Sequence, residues 1–363
     1  NAVTVTETSR STYMNAEVGT PISMNDINTM WVWIPRYSYT IRDIYGVQLS
    51  GGSAPSQETP GAIDVKFIPA SQKDTGSGTS TKCADNWVTP EGFTFGGEEL
   101  PGLWVGKFET TGSMTEICTS EECTTVDLSI KPSIASLSNL PVSGFFYGIR
   151  SMQNSSNVNK YGFDTIGNGT MDVHMAKNTE WGLVAYLSQS KYGKYGNPSY
   201  SGADKEVAIN NCSNYVTGIG GDTVSADESA ATCTTNTYET SKGKAASTTG
   251  TIYGIYDMNG GTGEYTMGDY DNTISNSLFA TFPDSKYYDL YTSTVASDGY
   301  KIGDATHETG SWYNDYMSFV DSSYPWFVRG GGPKNMAQGG VFHSYVYDGS
   351  AGPNYGARAI LKP

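Results

Sequence analysis

The side chains of this 363-residue sequence that could do chemistry are few, and most stand alone. Its three histidines, His174, His307 and His343, are widely separated. Glu264 follows the glycine turn Gly260-Gly261-Thr262-Gly263. A single carboxylate there can serve as a general acid, but more often it accepts backbone N–H groups and holds the turn. Arg329 and Arg358 each lie in a short apolar run. They could grip an anion, although arginines so placed more often satisfy buried carbonyls or pair with an acid such as Glu264 or Glu109. The acids of residues 269–271 and Asp284 leave room for a structural calcium without EF-hand spacing. No catalytic set, metal-ligating set or cofactor motif assembles from these residues.

Contact chemistry is better represented. Over residues 341–347 a period of two puts Phe342 on one face of a strand and His343, Tyr345 and Tyr347 on the other, three polar-tipped rings in a row. Lys334, Asn335, Met336, Asp348, Asn354 and Tyr355 flank that row. Together these residues are expected to form an exposed patch that binds a protein or a surface glycan. Tyrosine supplies rigid contact area at small entropic cost, and neighbouring Gly and Asn let a loop adapt to its partner. The competing reading is that the rings cover a sheet in a tyrosine-rich protein.

Strands must hold this patch. Trp326-Phe327-Val328-Arg329-Gly330-Gly331-Gly332 and Gly356-Ala357-Arg358-Ala359-Ile360-Leu361 read as short buried strands bounding a loop-rich ligand-binding segment, 326–361. Further strands are expected over 30–39, where Pro35 favours an edge or a bulge, over 64–68 and over 102–109. The clearest helix spans 178–188, capped by Asn178 or Thr179, with Glu180 at the positive end of its dipole and Trp181 in the core. The stretch 143–152 carries aromatics and an arginine, and its type is left open. Residues 190–247 form a polar insertion too long to be idle unless it is stapled or binds something.

Composition agrees with a loop-rich, mostly non-helical protein. Charged residues are 16% of the chain, against roughly 25% in an average soluble protein, and 43 glycines and 26 tyrosines take their place. A hydrophobic content of 37% suffices for a sizeable core. The net charge of −15 repels phosphate backbones and anionic head groups, so nucleic acid and a membrane surface are excluded as partners.

Cys118 and Cys123 bracket a short turn and Cys212 and Cys233 a polar loop, so two local disulfides are expected, with Cys83 free. That places the chain outside the cytosol. Asn1-Ala2-Val3 reads as a cut, so a removed signal or N-terminal anchor is expected before it, the only route by which a membrane would be involved. Residues 1–30 are polar and aperiodic and read as a connecting arm, with one domain over 31–363.

The order of the segments WVGKFE (104–109), KNTEWGLVAYL (177–187), GIYDMNGGTGEY (254–265), RGGG (329–332) and GAR (356–358) resembles the formylglycine-generating-enzyme, or sulfatase-modifying, branch of the C-type lectin fold. The resemblance covers 103–361. It implies an α+β, C-type-lectin-like fold with a twisted antiparallel sheet, few helices and long loops. Gly263, Tyr265 and Ala357 replace aromatic residues of that branch. The oxidising enzymes carry a reactive cysteine pair between the RGG strand and the last motif, and residues 333–355 contain no cysteine. The iron-dependent relatives need a histidine set that is also missing. The resemblance therefore implies the non-catalytic use of the fold: retroelement-diversified ligand-binding proteins and bacterial surface proteins with a prepilin-type N-terminal helix. An extracellular, surface- or pilus-borne adhesin is expected. An enzyme of unrecognised chemistry and a purely structural pilus or coat subunit are the alternatives.

Overall fold

The computed structural model describes residues 1–41, 60–76, 86–124, 126–163 and 171–363; Cys83 lies outside them. In chain order the strands are β1 (Ala2–Val5), β2 (Ile27–Pro35), β3 (Tyr37–Ile41), β4 (Ile63–Phe67), β5 (Thr94–Phe95), β6 (Glu98–Glu99), β7 (Gly102–Gly106) and β8 (Thr111–Met114). They continue with β9 (Val126–Ser129), β10 (Asp172–Met175), β11 (Gly263–Tyr270), β12 (Asp289–Tyr291), β13 (Trp326–Gly330), β14 (Gly340–Tyr347), β15 (Tyr355–Ala357) and β16 (Ala359–Lys362). The first helices are α1 (Glu7–Met14), α2 (Val142–Arg150), α3 (Val158–Tyr161) and α4 (Asn178–Ser188).

Two five-stranded sheets organise this α+β chain. One has the order β1-β2-β7-β16-β10, so the last strand returns inside the sheet between β7 and β10. The other runs β12-β11-β13-β14, with β15 added to β11 in parallel. Three two-stranded antiparallel sheets complete the set among the described residues. Residues 1–30 hold more structure than an arm: β1 pairs antiparallel with β2, which begins at Ile27. The strand expected over 30–39 divides after Pro35. There the backbone turns at Arg36, whose buried guanidinium bonds Glu99 at 2.6 Å and the carbonyls of Phe93 and Leu100.

Helix α4 matches its expected span, but its cap falls one residue earlier. The Lys177 N–H donates to Glu180 Oε2 at 2.8 Å, and the Thr179 N–H is taken by Asp289 Oδ2 at 2.7 Å, so the orphan donors of the first turn are met partly from a distant segment. Gly182 is required here, because a Cβ would collide with the backbone of Gly303 and Asp304. Helix α2 occupies the stretch whose type was left open. Eight of its nine residues are buried, with Val142, Phe145, Phe146 and Ile149 at helical spacing in the core.

Packing falls into two large apolar clusters. One gathers α2 with Trp31, Tyr265, Met267, Trp326 and Val328. The other gathers α4 with Tyr37, Tyr39, Leu103, Val341 and Phe342. Both expected disulfides are present, Cys118–Cys123 and Cys212–Cys233, the first within the β8–β9 hairpin. These bonds belong to an oxidising compartment. Among the described residues no helix is long and apolar enough to cross a membrane.

Candidate functional site

The two strand arginines lie beneath the site rather than in it. Arg358, 1% exposed, grips Glu264 through Nε at 3.0 Å and through Nη2, and spends its other donors on the carbonyls of Gly106 at 2.8 Å and Tyr256 at 2.9 Å. Arg329 donates to Asn178 Oδ1 at 3.0 Å and to the carbonyls of Asp304 and Ala305. Each guanidinium lies 5.9 Å from the Trp181 ring. These are structural uses of both arginines, and the expected Arg358–Glu264 pair is among them.

Glu264 therefore does not hold the glycine turn. Glu109 does: its Oε1 accepts the Thr262 N–H at 2.9 Å, and Ser136 Oγ donates to Oε2. Gly260 and Gly261 have φ of +74° and +75°, and a Cβ on Gly261 would stand 2.5 Å from Glu109 Oε1. Gly263 is free of positive φ. Burial lifts the Glu109 carboxyl well above its ordinary range, with Asp257 and Glu264 nearby pushing the same way. Burial likewise raises Glu264 to about 7, against the pull of Arg358.

Above this base the 326–361 segment opens a cavity of about 490 Å³. Of the residues expected in the patch, Lys334, Asn335, His343, Tyr345, Asn354 and Tyr355 line it. Met336, Tyr347 and Asp348 do not. Met336 is exposed beside the cavity, and Asp348 is engaged by Asn276 Nδ2 at 2.7 Å and the Ser350 N–H at 2.9 Å. Tyr347 extends the aromatic surface sideways, with ring centroids 6.3 Å from Tyr345, 6.4 Å from Tyr324 and 5.0 Å from Tyr355.

His343 shares the face of Tyr345 but is not exposed: 3% of its surface is accessible. The segment around Tyr316 folds over this part of β14. Ser344 N–H donates to the Tyr316 carbonyl at 2.9 Å, Ser318 N–H to the Ser344 carbonyl at 2.7 Å, and Phe342 N–H to Asp315 Oδ2 at 3.0 Å. The His343 Nδ1 lies 2.7 Å from the Gln338 carbonyl. A carbonyl partner requires Nδ1 to carry the proton, which leaves Nε2 as an acceptor. Burial lowers the imidazole to about 4, so it is neutral at physiological pH.

Sequence reasoning missed Tyr215, Tyr316 and Gln338, which also line the cavity. Tyr215 reaches it from the loop closed by Cys212–Cys233, with its N–H on the Cys212 carbonyl at 3.0 Å. The length of that insertion was the available signal. The side-chain hydroxyls of Tyr215, Tyr316, Tyr345 and Tyr355 make no hydrogen bond to any described residue, whereas buried Tyr37, Tyr39, Tyr186 and Tyr256 all spend theirs on the protein.

A second cleft, of about 660 Å³, mixes Lys73, Lys177 and Lys286 with Asp74, Glu91, Asp284 and Asp289. Its charges are largely committed: Lys73 to Glu99, Lys177 to the Thr94 carbonyl and Asp289 to the start of α4. Asp269 is buried on its Thr273 contact and Asp284 caps the turn at Lys286. Among the described residues no group of three or more His, Cys, Asp or Glu side chains is arranged to hold a metal ion.

No protein-family model matches the chain, and no curated protein does. A solved structure is similar. Treponema denticola variable protein 1 overlays with a TM-score of 0.33 at 12% identity, covering 85% of this chain and 98% of that one. A likeness at that score assigns neither fold nor function.

Proposed function

We propose that this chain is an extracellular ligand-binding protein that displays the 326–361 segment on a C-type-lectin-like scaffold, in the non-catalytic use of the formylglycine-generating-enzyme branch. The observation that carries the reading is the set of tyrosines around one cavity whose hydroxyls make no hydrogen bond to a described residue. A ring that only covers a sheet has no need to gather with others around a concavity. Rigid aromatic area with free polar tips is what an adaptable recognition surface uses. The motif order supports the scaffold: GEY lies on β11, RGG at the end of β13 and GAR at the end of β15, and β11 is hydrogen-bonded to both of the other strands. Of the buried carboxylates near them, Glu264 is held by Arg358, Glu109 accepts from the glycine turn, and Asp257 accepts from Asn210 and the Gly218 N–H. Display at a cell surface or on a pilus, and diversification of the segment by a retroelement, complete the proposal. A near-copy of the coding sequence for 326–361 beside a reverse-transcriptase gene tests the last point. The site is tested by Tyr345→Ser/Tyr347→Ser. Unchanged melting with lost binding to partner cells supports it, and a large fall in stability with binding intact in the folded fraction makes the rings core.

A further inference from the structure

We infer that the cavity takes a neutral pyranose residue of a glycan, seated on the rings around β14 with the Cys212–Cys233 loop as its second wall. This rests on the reading that the cavity is the recognition site. Charge narrows the ligand first. Among the described residues Lys334 is the one charged residue in the lining, its side chain is 78% exposed, and it leans to Glu228 at 3.8 Å. Neither an anion nor a cation finds a buried counter-charge there.

The unspent polar groups narrow it further. Asn335 Oδ1 already accepts the Gly332 N–H at 2.7 Å, which orients its NH₂ as a donor. The side-chain amides of Gln338 and Asn354 make no hydrogen bond to a described residue, and buried His343 offers an acceptor at Nε2. Donors and acceptors set side by side match adjacent hydroxyls, each of which both gives and takes a hydrogen bond. Tyr345 and Tyr355 put aromatic surface into the lining, on which the C–H groups of a pyranose can pack. An extended peptide fits less well. Its usual purchase is an open strand edge, and on β14 the N–H and carbonyl of Ser344 are both occupied by residues 316–318.

The second wall is held at a cost. Tyr215 has φ of +54°, a conformation that a bulky residue adopts only when its surroundings impose it. The disulfide and the Ser136 N–H bond to the Tyr215 carbonyl at 2.9 Å impose it here.

The test is an array of neutral, sialylated and sulfated glycans probed with the full chain, followed by calorimetric titration of the hits. Binding should be confined to neutral pyranose glycans and unaffected by EDTA, because no carboxylate lines the cavity. Tyr345→Ser and Tyr215→Gly should each weaken it by about tenfold or more, the loss of one ring contact, without lowering the melting temperature. Glycine tolerates the backbone at 215, so the second variant is not exposed to a folding failure. Absence of glycan binding, binding confined to acidic glycans, or binding that survives both substitutions overturns the inference. If the chain instead binds enzymatically deglycosylated partner cells in a Tyr345-dependent way, the sugar assignment fails while the recognition site stands. If Tyr345→Ser alters no binding of either kind, both fail.

Discussion

Glu264→Ala separates a structural acid from a functional one. The substitution leaves the Arg358 guanidinium, 1% exposed, without its carboxylate and strands two of its donors. Removing one partner of a buried ion pair costs about 3–5 kcal/mol. Glu109 and Asp257 are also buried nearby and can ionise in compensation, which puts the expected loss at the lower end of that range. For a 363-residue chain with a specific unfolding entropy of about 2.1 cal/mol/K per residue, a loss of about 3 kcal/mol lowers Tm by roughly 4 °C. Calorimetry on the purified variant measures it. The double variant Glu264→Leu/Arg358→Met should lose less than the sum of its single variants, because it leaves no uncompensated charge. Ligand binding should survive in the folded fraction. A Glu264→Ala protein that melts within about 1 °C of the parent and loses binding or an activity would refute this reasoning and favour a catalytic or ligand-facing acid.

Stability should be higher near pH 5.5 than at pH 8. Burial raises Glu264 and Glu308 to about 7 and Asp269 to about 8, so the folded chain keeps protons that the unfolded chain releases from about pH 4 upwards, and stability falls as pH rises through that window. Burial alone would lower His174, but Glu180 and Asp172 raise it, so its contribution is also lost as pH rises past about 6.5; His343, lowered by burial to about 4, opposes the trend between about 4 and 6.5. A melting temperature that peaks at pH 8 contradicts the balance. Replacing Cys212 and Cys233 by serine opens a loop of sequence separation 21 and should cost about 3 kcal/mol, against about 2 for the Cys118–Cys123 separation of 5. Only the former pair should also weaken ligand binding, because Tyr215 rides on its loop; equal loss of binding from both pairs would disconnect that loop from the site.

Local patterning makes much of this fold legible. Alternation locates β14, and the apolar runs locate β7 and β13. Partnerships across the chain were the harder part. The acid that holds the turn, Glu109, lies 153 residues from Thr262, and Asp289, which caps α4, lies 110 residues from Thr179. No local period encodes either. His343 was placed on the correct face but read as exposed, since the residues that bury it, around Tyr316 and Gln338, arrive by tertiary folding. Helix α2 does carry a helical period in Val142, Phe145, Phe146 and Ile149, but it lasts only two turns, and Gly144, Gly148 and its aromatic residues lower the local helix propensity.

The most direct test of the central claim is site-specific photo-crosslinking to intact partner cells, with p-benzoylphenylalanine carried at position 345 in one protein and at position 253 in another. Tyr253 is 68% exposed and lies outside the cavity, whereas Tyr345 is 36% exposed and lines it. A recognition surface at β14 predicts a strong adduct from position 345 and little from position 253, despite the greater exposure of the latter. Equal adducts, or an adduct from 253 alone, would contradict the account.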